Sequence, residues 1–100
     1  MLHMRVISKR TLQDFWSNHP DAINPLAAWH TEAIKASCQS PQDIKSQYKT
    51  AGFLRENRVV FNIGGNKYRL IVKINYPYNA VYVRFVGTHS QYDKINAQEI

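Results

Sequence analysis

The stretch Arg58-Val-Val-Phe-Asn-Ile-Gly-Gly-Asn-Lys67-Tyr-Arg69-Leu-Ile-Val-Lys73, followed shortly by Val81-Tyr-Val-Arg84-Phe-Val-Gly-Thr-His89-Ser-Gln-Tyr92-Asp93, decides the fold. Its β-branched and aromatic residues are interrupted only by turn formers, so it predicts strands over Arg58 to Ile63, Lys67 to Asn75 and Ala80 to Gly87. The Gly64-Gly65-Asn66 break signals a tight hairpin, because such turns need positive φ. It lacks the spacing of a Walker loop and precedes a strand, which argues against a phosphate loop. Pro77-Tyr78-Asn79 marks the second turn.

Side chains alternate across a strand. Val59, Phe61 and Ile63 are thus expected on one face with Tyr68, Leu70, Val72, Ile74, Val81, Val83 and Phe85. The other face is expected to carry Arg58, Val60 and Asn62, then Arg69, Ile71 and Lys73, then Tyr82, Arg84 and Val86. The first set is a core face; the second is a basic cradle with a ring available for base stacking.

Working outward, Arg5-Val-Ile7 predicts a short strand. Ser8 is placed to cap a helix ending near Asn18 to Pro20, in which Leu12, Phe15 and Trp16 recur at helical spacing. A second helix is expected from about Asp21 or Pro25 to Ser37, with Ile23, Leu26, Ala27, His30, Ala33 and Ile34 on one stripe. Ser40-Pro41-Gln-Asp43 predicts a third, short helix through about Tyr48. Ala51 to Asn57 reads as a connector, and Thr88 or Ser90 as the cap of a last helical turn through Ile95. The expected architecture is one α+β domain: a mostly antiparallel sheet of about four strands, with two N-terminal helices on one face.

The 100 residues, 44% of them hydrophobic, suffice for a single core. The formal charge is +6, and from Arg55 to Lys94 seven basic residues face two acidic ones. Such an excess favours a polyanionic partner. Cys38 is the only cysteine, so no internal disulfide or cysteine-based metal site is expected. No apolar run approaches the roughly 20 residues of a membrane span, and Met1-Leu-His-Met-Arg5 lacks the apolar core of a signal peptide. These features predict a soluble, cytoplasmic protein with no membrane association.

Arg69, Lys73 and Arg84 are candidates for stabilising phosphate charge, set against the plainer possibility of a solvated sheet face. His89 and Tyr92 stand three residues apart at the exit of the last strand, where a helical turn points both the same way. Histidine exchanges protons near neutral pH, and tyrosine can orient or donate at a phosphate oxygen. His3, His19 and His30 read as structural, and Phe15, Trp16 and Trp29 as core or partner-contact residues rather than a cofactor box. No metal-ligand motif is present, and no cofactor is expected.

The run Val59 to Asn75, together with Arg84-Phe-Val-Gly-Thr-His-Ser-Gln-Tyr-Asp-Lys-Ile95, resembles the HigB-type toxins of bacterial type II toxin–antitoxin modules. The likeness extends to Met4-Arg-Val-Ile-Ser8, Pro20-Asp21, Pro25-Leu26 with Trp29, and Ser40-Pro-Gln-Asp-Ile-Lys45. It implies the RelE-like, microbial-ribonuclease-like fold. It also implies a metal-independent mRNA endoribonuclease acting on translated messages at the ribosome, by attack of a ribose 2′-hydroxyl on the adjacent phosphate. Carried over by position, Arg69 would stabilise the phosphate, with His89 and Tyr92 after the last strand and Lys67, Lys73 and Arg84 as supporting cations; Arg58 and Tyr82 join these as expected RNA contacts from the reading of the sheet face. The proton acceptor stays open between His89, the first choice, and Tyr92; Asp93 is the only carboxylate nearby. The implied partner is a HigA-type helix-turn-helix antitoxin. The alternative is a non-catalytic RNA- or ribosome-binding module using the same face.

Overall fold

A computed structural model describes residues 5–7, 9–35, 40–48, 51–65 and 67–100. The Ser8 cap, the helix end beyond Lys35, Cys38, His3 and Asn66 of the hairpin turn fall outside the described residues. Five strands form one sheet in the order β1-β5-β4-β3-β2: β1 is Arg5–Ile7, β2 Gly52–Phe53, β3 Arg58–Ile63, β4 Tyr68–Asn75 and β5 Ala80–Thr88. Among the described residues, only the β1 to β5 pairing is parallel. The helices are α1 (Lys9–Asn18), α2 (Ile23–Lys35, entered through a 3-10 turn at Pro20–Ala22), α3 (Pro41–Gln47) and α4 (His89–Asp93).

The fifth strand, β2, lies in the segment read as a connector. It forms a hairpin with β3, Gly52 opposite Val60 and Phe53 opposite Val59. Glu56 and Asn57 both take positive φ (56° and 62°) at the centre of a β-turn closed by Arg58 N donating to Arg55 O at 3.3 Å, as a primed turn requires. Gly64 and Gly65, at 63° and 62°, likewise join β3 to β4, as the glycine pair predicts.

The β3 to β4 register sets Val59 opposite Val72, Phe61 opposite Leu70 and Ile63 opposite Tyr68, and these pairs face the helices. Leu12, Leu26, Trp29 and Ala33 close the core over them. Trp29 meets Phe61 at 5.6 Å between ring centroids, and Tyr48 of the α3 end meets the same ring at 4.9 Å. His19 stacks on Phe15 at 4.1 Å. Burial lowers the pKa of His30, with a smaller push from Lys9.

The strict alternation expected of β5 is broken once. Val72 pairs with Val83, but Ile71 pairs with Phe85, so Arg84 is an extra residue at a bulge. Beyond it the faces exchange. Val86 turns to the core and packs against it, while Phe85 joins Ile71 on the opposite face. The expected places of Phe85 and Val86 are therefore reversed.

At the β3 to β4 turn, Asp21 accepts bonds from Lys67 Nζ and from the Tyr68 hydroxyl. The Lys67 bond, then the Tyr68 bond, hold its carboxyl below the usual range. A carboxyl depressed by folding stabilises fully above its unfolded pKa, about 3.9, and loses that contribution as pH falls through the folded value. Asp21→Asn should melt below the parent at pH 7, with the gap closing under about pH 4; thermal melts across pH 2 to 7 check this, and a constant gap would contradict it.

Candidate active site at the exit of the last strand

The face of the sheet away from α1 and α2 is not an open basic cradle. Chain leaving α4 crosses it: the Gln98 side chain accepts from the Arg55 amide at 2.8 Å, and the Ile100 main-chain oxygen accepts from Arg58 Nε at 2.8 Å. Ile71 on this face is 0% exposed and lies outside the main core cluster. The crossing splits the face into two ends.

At one end, Asn62, Arg69 and Gly87 form a cross-strand row on β3, β4 and β5. The helix α4 starts where β5 stops. Thr88 caps it with both halves of a capping box: Gln91 N donates to Thr88 Oγ1 at 3.2 Å, and Thr88 N donates to Gln91 Oε1 at 2.9 Å. The box fixes the direction of α4, whose first residue is His89 and whose fourth is Tyr92. The Arg69 guanidinium carbon lies 4.8 Å from the Tyr92 ring centroid, a cation–π contact.

Gly87 makes this assembly possible. A Cβ there would lie 2.6 Å from Phe85 Cζ and 2.7 Å from Gln91 Oε1, so any side chain displaces the Phe85 ring or opens the box. Glycine inside a strand signals such a close approach, but its partners are not readable from sequence.

Arg69 Nε and His89 Nε2 are both buried without a hydrogen-bond partner. Unpaired buried polar atoms are costly and uncommon in native proteins. Among the described residues Trp29 Nε1 and Asn79 Oδ1 are in the same state away from this site, while Arg69 Nε and His89 Nε2 sit on the strand and helix that the Arg69–Tyr92 contact joins. The helix α4 thus carries an imidazole at its first residue and, at its fourth, the phenol whose ring lies against the Arg69 cation.

The other expected RNA contacts divide sharply. Arg58 is 5% exposed; besides Ile100 it donates to Glu56 Oε2 at 3.0 Å, so it anchors the crossing chain and is not offered to a ligand. Lys67 is taken up by Asp21. Lys73 and Tyr82 face each other across β4 and β5 at the far end, and Arg84 is exposed at the bulge. Among the described residues, no three His, Cys, Asp or Glu side chains converge, and no helix is long and apolar enough to cross a membrane.

The fold is a small α+β domain, with the Arg69–Tyr92 contact and His89 at the exit of its last strand. The family model HigB_toxin, described as the RelE-like toxic component of a toxin-antitoxin system, matches residues 22–95. The chain belongs to this family of toxins, whose members are one half of a toxin–antitoxin pair. It is similar to the mRNA interferase toxin HigB of Escherichia coli strain K12, 26% identical over 96 residues that cover 94% of this chain and 92% of that protein. The mRNA interferase HigB of Shigella flexneri matches with the same identity and coverage. That of Escherichia coli O6:H1 is 23% identical over 94 residues, covering 92% and 91% of the two chains.

Gly87→Ala should lower stability by about 1–3 kcal/mol, the usual range for overpacking. Combined with Phe85→Leu, the loss should be less than the sum of the two single losses, because the substitutions share a contact. Denaturant unfolding of the three variants measures this; additive losses would contradict the packing described.

Proposed function

We propose that this chain is an mRNA endoribonuclease, the toxin of its pair, acting on messages under translation at the ribosome and held in check by a HigA-type helix-turn-helix antitoxin. The observation that supports it best is the Arg69–Tyr92 contact beside His89, with Arg69 Nε and His89 Nε2 both lacking partners. The relatives' names describe mRNA cleavage, and this cluster carries groups suited to that chemistry.

The reaction is attack of a ribose 2′-oxygen on the adjacent phosphorus, with cleavage of the bond to the 5′-oxygen. It leaves a 2′,3′-cyclic phosphate and a free 5′-hydroxyl and draws on no metal. His89 takes the 2′-hydroxyl proton, and Tyr92 protonates or orients the departing 5′-oxygen. Arg69 stabilises the extra charge on the phosphorane oxygens, an interaction stronger in the transition state than in the ground state. The Tyr92 ring restricts the guanidinium before substrate arrives. Lys73, Tyr82 and Arg84 contact the RNA away from the scissile bond.

Removing a charge-stabilising donor costs on the order of a hundred- to a thousandfold in rate, and removing an acid or base about as much. Arg69→Ala and His89→Ala should each lose at least a hundredfold in RNA cleavage, on that scale. Tyr92→Phe, which keeps the ring over Arg69, should lose less than Tyr92→Ala. Single-turnover cleavage on programmed ribosomes, with mapping of RNA 5′ ends, measures all four. RNA binding with no new ends would replace this reading with a non-catalytic binding module.

Arg58 and Arg84 supply a separate test. Arg84→Ala should reduce the salt slope of RNA binding by about one, whereas Arg58→Ala should leave the slope unchanged and lower stability by about 1–3 kcal/mol, as its hydrogen-bond partners are left unpaired.

A further inference from the structure

The middle of the face away from α1 and α2 is apolar. Val60, Ile71 and Phe85 pair across β3, β4 and β5, between the Asn62–Arg69–Gly87 row at one end and the Arg58–Lys73–Tyr82 row at the other. Val60 is 8% and Ile71 0% exposed, and neither belongs to the main core cluster. The chain that leaves α4 runs from the first of these rows to the second, with Ile95, Ala97 and Ile100 partly buried along it.

This crossing chain is a stiff link. Ile95 N donates to Tyr92 O at 3.2 Å, carrying the turn of α4 onward, while Glu99 N and Ile100 N donate to Asn96 O at 3.1 and 3.2 Å. Gln98 N donates to Asn96 Oδ1 at 3.1 Å. Its far end is fastened where Arg58 Nε donates to Ile100 O and Arg55 N to Gln98 Oε1, each at 2.8 Å.

The fastenings are unequal. The Arg55–Glu99 ion pair spans 3.8 Å with both side chains 65% exposed, and such pairs contribute little. The Arg58 side chain is only 6% exposed. Glu56 Oε2 and Arg55 O fix its guanidinium further, and a charged donor sheltered from water makes the stronger bond.

A helix of five residues, as α4 is, does not hold its direction unaided. The capping box pins it at Thr88, next to His89. Tyr92 lies three residues further on, so a swing about the cap displaces its ring much more than the imidazole. We infer that Arg58 is a positioning residue for the candidate site. Through Ile100 and the crossing chain it holds the far end of α4 against the sheet and keeps the Tyr92 ring beside Arg69. The effect on rate rests on the endoribonuclease reading above; the seating of the ring does not.

The test compares the full chain with Arg58→Ala, Arg58→Lys, Gln98→Ala and Gln98→Glu, at a temperature where circular dichroism shows each one folded. On programmed ribosomes, Arg58→Ala should cut about tenfold to a hundredfold more slowly at saturation, the scale for a group displaced by about 1 Å. Its half-saturating concentration should stay within about twofold of the parent's, because no contact with RNA is lost. Arg58→Lys, which lacks the guanidinium fork, should fall between the two. Gln98→Ala should show a smaller loss, and Gln98→Glu, which keeps an acceptor for the Arg55 amide, should restore the rate. In a Tyr92→Ala background Arg58→Ala should cost nothing further, since both act through the same ring. The ¹H–¹⁵N signal of Arg69 Nε, which senses that ring, should move in Arg58→Ala and Gln98→Ala and stay in place in Gln98→Glu. An unmoved Arg69 signal in folded Arg58→Ala, or an equal loss of rate with and without the Tyr92 side chain, would overturn the inference and leave the function standing. A parent that makes no cuts would overturn the endoribonuclease reading, and the Arg69 signal alone then decides the seating.

Discussion

One extra residue in one strand governs the working half of this molecule. Without Arg84 as a bulge, alternation along β5 would turn Gly87 toward the helices and Val86 away from them. With it, Gly87 sits beside Arg69, Phe85 folds over the position that lacks a Cβ, and Val86 returns to the core. The strand therefore ends facing the side from which α4 can lie against β4. The capping box at Thr88 fixes the helix direction, and the Arg69–Tyr92 contact fixes its distance.

The positive charges of the sequence serve separate purposes. Lys67 bonds Asp21 at the hairpin turn, and Arg58 is buried between Glu56 and the chain crossing from α4. Each is partnered and contributes to folding. Arg69 is held by an aromatic ring and, among the described residues, by no carboxylate, so its charge is not neutralised there. Electrostatic catalysis depends on such a difference: a donor locked in place but not neutralised loses little reorganisation energy when charge develops nearby.

The element plan was legible in the sequence because it rests on local rules. Helical spacing in Leu12, Phe15 and Trp16, the Ser40-Pro41 start, the glycine pair and the Thr88 cap all act over a few residues. The core face of β3 and β4 followed from period two alone. The bulge was not legible, because an inserted residue leaves the composition of β5 unchanged and shows only in its pairing with β4. The two-residue strand β2 was too short to produce a periodic signal. The burial of Arg58 depends on a segment about 40 residues away in sequence, which no local pattern encodes. Of the candidate site, Arg69, His89 and Tyr92 were named from residue type, spacing and resemblance, and Arg69 and Tyr92 are in contact; the part that Gly87, Phe85 and Gln91 play in seating α4 needed coordinates.

The central claim is the proposed one, that Arg69 and His89 act together on a scissile phosphodiester. The most direct measurement follows the ring nitrogens of ¹⁵N-labelled histidine by NMR while a short RNA, with a 2′-deoxy sugar blocking cleavage, is added to the folded chain. The account predicts a large shift of the His89 Nε2 resonance, with those of His19 and His30 unmoved. Saturable binding that leaves His89 Nε2 unchanged would contradict it.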